Sequence, residues 1–86
     1  ELGISKAVLN TGIVENIPQT LEELEKQLDP KFFFRANRQF IIHIDSVKQI
    51  FNHFNGKLKL ELRKQPEMEV IVSREKASIF KSWMDY

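Results

Sequence analysis

The chain has 86 residues, a net charge of +1, 42% hydrophobic and 29% charged side chains, which is the make-up of one globular domain rather than of a disordered chain. It has no cysteine, which excludes a disulfide framework and cysteine-ligated zinc or iron–sulfur centres, and no apolar run long enough to span a bilayer. The near-neutral total conceals a split: residues 1–30 carry two Lys against six acids, −4, whereas residues 31–86 carry eleven Lys and Arg against six acids, +5.

The first elements in chain order are two β-prone runs, Ser5–Asn10 and Ile13–Ile17, flanking Thr11-Gly12, and they predict a hairpin. Pro18 stops the second strand. Thr20-Leu21-Glu22-Glu23 reads as a capping box, with Thr20 as N-cap and Glu23 at the third helical position. Leu21, Leu24 and Leu28 then share one face of a short helix that Asp29-Pro30 terminates.

Three consecutive Phe at 32–34 are followed by the polar stretch Arg35–Gln39. The bulky run Gln39–Ile44 is expected to be a buried strand, Asp45-Ser46 a turn, and Val47–Phe54 an imperfectly alternating strand. Asn55-Gly56 is a strong hairpin dipeptide. After it, Lys57–Leu62 alternates strictly and buries three leucines. Met68–Val72 is the last strand, and Ser73 is expected to cap a helix from Arg74 to about Met84 that packs Ala77, Phe80 and Met84. The expected class is mainly β: antiparallel sheets with two short helices.

Catalysis has little to work with. His43 and His53 match no metal-ligand spacing, no Gly-x-Ser-x-Gly surrounds a serine, and three scattered glycines cannot cradle phosphate. Glu22, Glu23 and Glu25 occupy a helix face that must be solvated anyway. No enzyme and no cofactor is expected.

The segment Phe34-Arg35-Ala36-Asn37-Arg38-Gln39-Phe40 is more informative. Arg can bond guanine in pairs, Asn can do so with adenine, and both bind phosphate. Phe34 and Phe40 are expected to lock into the core and hold the loop rigid, which lowers the ordering cost of binding. Two readings stay open: Arg35 and Arg38 contact a nucleic acid, or they pair with nearby acids. A second candidate is Ser73-Arg74-Glu75-Lys76, where Ser73 would cap, N–H groups at the helix start would favour phosphate, and Arg74 would project.

Taken together, these residues resemble the LytTR DNA-binding domain, the effector half of many bacterial response regulators. The resemblance runs from about Thr20 to Trp83. It rests on Thr20–Glu25, Phe33–Ile42, Ile44–Val47 and Val70–Arg74. These follow the family order of a leucine-bearing helix, a Phe-x-Arg-x-[His/Asn]-[Arg/Asn] block, and Val-Ser-Arg before the last helix. The resemblance implies elongated small β-sheets whose loops enter successive major grooves of duplex DNA and bend it.

Mapped here, it implies base-reading roles for Arg38, with Asn37 beside it, and for Arg74. Lys6, with Ser5, is the nearest basic match to a third contact. Arg35 and Lys76 are expected to read a base or hold phosphate. Two departures are that His43 stands where the family often has Asn, with an effect expected on packing, and that the strands the family places before Lys6 are expected to lie outside this sequence. Residues 1–86 are thus expected to be one domain cut from a longer cytoplasmic regulator with an upstream receiver domain. Alone it would be monomeric, and the whole protein would bind direct repeats as a dimer.

Two other classes compete. A single-stranded nucleic-acid binder would need Phe32, Phe51 and Phe54 exposed on one basic sheet face, whereas most of the seven Phe are expected in the core. A protein-interaction module would ignore duplex DNA at low salt.

Overall fold

The structure is a computed structural model that describes residues 6–9, 12–15 and 20–85, the first two stretches by their backbone alone. Strands β1 (Lys6–Leu9) and β2 (Gly12–Glu15) form the expected hairpin, with Lys6 opposite Glu15 and Leu9 opposite Gly12. Its turn residues and the Pro18 stop lie outside the described residues.

Helix α1 (Leu21–Gln27) opens on a complete capping box: the Thr20 N–H donates to Glu23 Oε1 and the Glu23 N–H to Thr20 Oγ1, both at 3.1 Å. Leu21 is buried, while Leu24 and Leu28 are half-buried. The helix ends at Gln27, and Leu28 is already extended at its C-cap.

Two sheets follow. The first has the order β2-β1-β4-β3, with β3 at Phe33–Arg35 and β4 at Phe40–His43. The second has the order β5-β6-β7, formed by Val47–Asn52, Leu58–Leu62 and Glu69–Val72. The chain closes with helix α2 (Arg74–Met84). The mainly-β class therefore holds, with one pairing the sequence did not suggest: β1 runs parallel to β4, Lys6 opposite Phe40 and Val8 opposite Ile42. A parallel neighbour requires a crossover, and α1 lies within it, packing on β3 and β4.

Strand β6 buries Leu58, Leu60 and Leu62 at 1–2% exposure. Each contributes roughly 1.5–3 kcal/mol. Beside them in the same sheet are Val70 and Val72 of β7, and the same core takes in Phe40 and Ile42 of β4 and Phe80 of α2. Phe34 and Trp83 close this core, with ring centroids 5.2 and 5.6 Å from Phe80, and the Trp83 indole N–H donates to the Pro30 carbonyl at 2.8 Å.

The imperfect alternation of β5 has a physical cause. Val47 pairs with Leu62 but Gln49 with Glu61, so Lys48 is the extra residue of a β-bulge. Ile50 then faces the core and Phe51 does not.

Candidate nucleic-acid interface

The loop between β3 and β4 is a three-residue turn, Asn37–Gln39, closed by the Ala36 N–H donating to the Phe40 carbonyl at 3.0 Å. Ala36 and Phe40 are buried and Phe34 is packed against the core, so both expected anchors are in place. Inside the turn, Asn37 Oδ1 accepts from the N–H groups of Gln39 at 2.7 Å and Phe40 at 3.1 Å. Its Nδ2 donates across to the Ile71 carbonyl of β7. An adenine edge needs that same oxygen and amide together, and here the oxygen already accepts twice. Both polar ends of the Asn37 side chain are thus engaged in shaping the loop.

Arg35 is likewise engaged within the fold. Its Nε donates to the Asn37 carbonyl at 3.0 Å, one Nη donates to the Arg38 carbonyl at 3.2 Å, and the other lies 3.6–3.8 Å from Glu25 and Glu22 on α1. The guanidinium thus holds up the back of the loop, and its side chain is only 13% exposed. Arg38 contrasts with it: the side chain is exposed and makes no hydrogen bond or ion pair with the described residues.

The start of α2 is fastened to this loop. The Ser73 N–H donates to the Ala36 carbonyl at 3.4 Å, and Lys76 Nζ donates to the Arg35 carbonyl at 3.0 Å. With the Asn37–Ile71 bond, three contacts tie the loop to the β7–α2 junction. Lys76 is half-buried, with one of its three ammonium donors given to this carbonyl. Ser73 has the extended backbone of an N-cap, but its hydroxyl makes no capping bond, contrary to expectation. Arg74 is exposed and has no acidic partner among the described residues.

Arg38, Ser73, Glu75 and Lys76 line a shallow cleft of about 400 Å³, and Arg74, next in sequence to Ser73, lines a separate one. Lys6 pairs through its backbone with Phe40, directly after the loop, and its side chain lies outside the described residues.

His43 acts in packing. Its Nδ1 accepts from the Asp45 N–H at 3.0 Å, and its ring meets Phe33 edge-on at 5.0 Å. Phe32, Phe51 and Phe54 are 45%, 41% and 65% exposed, not in the core. They do not share one face, however: Phe32 stacks on His43 of the first sheet, Phe51 borders a cleft with Lys59 and three acids, Glu61, Glu67 and Glu69, and Phe54 sits at a hairpin tip. Among the described residues no cluster of three His, Cys, Asp or Glu could hold a metal, and no helix is long and apolar enough to cross a membrane.

Sequence reasoning gave no role to Ala36, whose complete burial and two backbone bonds anchor the loop. It gave Gly56 a turn role alone, whereas the Arg74 stem rests against it. The positive-φ demand of Asn-Gly was the available signal for the second.

Comparisons with known proteins identify the family and the fold. The family model described as the LytTr DNA-binding domain matches residues 6–85. The chain belongs to the LytTr DNA-binding domain family. As a LytTr domain it is a DNA-binding regulatory module and not an enzyme.

Among relatives, it is 34% identical over 68 residues to the transcriptional regulatory protein YpdB of Escherichia coli K12, covering 79% of this chain and 28% of that protein. It is 35% identical over 74 residues to the sensory transduction protein LytT of Oceanobacillus iheyensis, covering 86% of this chain and 28% of that protein. The chain thus spans a little over a quarter of the relatives it matches. A solved LytTr DNA-binding domain from Bacillus cereus superposes over the full length of both chains with a TM-score of 0.69 at 18% identity, a likeness of fold.

Proposed function

We propose that this domain binds duplex DNA sequence-specifically as the output module of a two-component transcriptional regulator, with Arg38 and Arg74 reading bases in successive major grooves. The observation that carries the reading is the pair of exposed guanidinium groups without internal partners, mounted on a loop and a helix start that are hydrogen-bonded to each other. A guanidinium held this way presents two parallel donors that match guanine O6 and N7. Arg35, Asn37 and Lys76 serve by fixing the loop. Ser73 lines the cleft beside Arg38 and precedes Arg74 in the chain, and Lys6 is the remaining candidate for a third contact.

The regulator names of the relatives, and the small share of them this chain covers, support a longer cytoplasmic protein with an upstream receiver domain. In that protein residues 1–86 form one domain, two copies occupy direct repeats, and the isolated domain is monomeric. Selection of bound sites from a random duplex library tests the reading. A defined consensus is expected from wild type, and a consensus degraded at different positions from Arg38→Ala and Arg74→Ala. Recovery of no preferred sequence, or equal retention of single strands, would defeat it.

A further inference from the structure

The β5–β6 hairpin tip and the flank of α2 enclose a cleft of about 630 Å³ that the base-reading scheme leaves unused except for Arg74 at its border. Its charged lining is Arg74, Lys57 and Lys81, with no carboxylate. Elsewhere on the same sheet the lysines are compensated: Lys48 lies 3.9 Å from Glu61 and Lys59 3.3 Å from Glu69. Lys57 and Lys81 have no acid within ion-pair distance among the described residues. Three uncompensated cations around one concavity focus a positive potential, and an anion is the ligand that relieves it.

The tip is built to hold this shape. Asn55 and Gly56 both adopt positive φ, 59° and 75°, so Phe54–Lys57 forms a tight hairpin turn with the Lys57 N–H donating to the Phe54 carbonyl at 3.3 Å. The His53 ring lies 4.4 Å from that of Phe54, and Lys57 Nζ is 5.6 Å from the Phe54 ring centroid, which orders the ammonium. A Cβ at Gly56 would stand 2.9 Å from Cγ and 3.0 Å from Cδ of Arg74, so the bare backbone seats the arginine stem. Lys81 follows Arg74 by two helical turns on the same face, roughly 10 Å along the axis. The positive charge therefore runs as a rail from Arg74 along α2.

We propose that this cleft is a clamp for the DNA backbone: Lys57 and Lys81 hold phosphates of the duplex whose base Arg74 contacts, and Gly56 sets the position of Arg74. The proposal rests on the base-reading role of Arg74 and adds a phosphate site to it. Phosphate contacts release counterions and carry no sequence information, which gives them a distinct signature.

The test measures affinity against salt concentration for a selected duplex and a scrambled one, using wild type, Lys57→Ala, Lys81→Ala, Gly56→Asn and Arg74→Ala. Each lysine variant is expected to weaken both duplexes several-fold by the same factor and to flatten the slope of log K against log salt by about 0.9. Gly56→Asn keeps the positive φ accessible but places a Cβ on the arginine stem. It should reduce the preference for the selected duplex and leave the slope unchanged.

Lysine variants with the wild-type slope would overturn the clamp, and the base-reading scheme would survive if Arg74→Ala still abolished the preference. Flattened slopes with an intact preference in Arg74→Ala would uphold the clamp and remove Arg74 as a reader. Absence of duplex binding by wild type, or equal competition by single strands, would overturn both.

Discussion

The β3–β4 loop and the β5–β6 hairpin tip are both short polar connections at the surface, yet they are held by different means. The loop is fixed by side chains: Asn37 makes three hydrogen bonds, Arg35 two, and Lys76 one. The hairpin tip is fixed by its backbone, through two consecutive residues at positive φ. The loop carries its own exposed cation, Arg38, whereas the tip seats a cation that belongs to another element, Arg74. One chain thus presents two arginines by two mechanisms that separate mutations can disable.

The largest effect on folding should come from Asn37→Ala. Loss of its three hydrogen bonds should cost about 2–3 kcal/mol in denaturant unfolding, because the Gln39 and Phe40 N–H groups lose their acceptor. Equal stability of this variant and wild type would show that the loop does not depend on it.

Arg38→Ala sharpens the contrast from the other direction. Stability should change by less than about 0.5 kcal/mol, while specific DNA affinity falls by about 1–3 kcal/mol. Arg35→Ala should weaken DNA binding although its side chain faces inward, and it should also lower the melting temperature, which Arg38→Ala should not.

Gly56→Ala forces a left-handed backbone on a residue with a Cβ and should destabilise by about 1–2 kcal/mol. The smallest effect belongs to Glu22→Gln and Glu25→Gln. Their carboxylates are 74% and 52% exposed, so each should change stability by no more than about 0.5 kcal/mol. A larger loss would mean that the ion pairs, and not the carbonyl contacts, hold Arg35.

Much of this was legible in short-range pattern. The Thr20/Glu23 box, the Leu58-Leu60-Leu62 alternation, the Asn55-Gly56 turn and the bounds of α2 all depend on neighbours within a few positions. The illegible parts depend on distant ones. The fate of Arg35 was set by acids on α1, and that of Asn37 by a carbonyl 34 residues away. Strand β3 is three residues inside a run of Phe with no alternation to mark it, and the bulge at Lys48 blurred the period of β5. In the site, motif and resemblance singled out Arg38 and Arg74, but neither could separate free polar residues from those spent within the fold.

The most direct measurement replaces each base pair of the selected site in turn and compares affinities for wild type, Arg38→Ala and Arg74→Ala. Each variant should become indifferent to the base at one or two positions, the two sets lying about one helical turn apart, and keep its sensitivity elsewhere. A uniform loss across all positions in both variants would make these arginines backbone contacts and contradict the account.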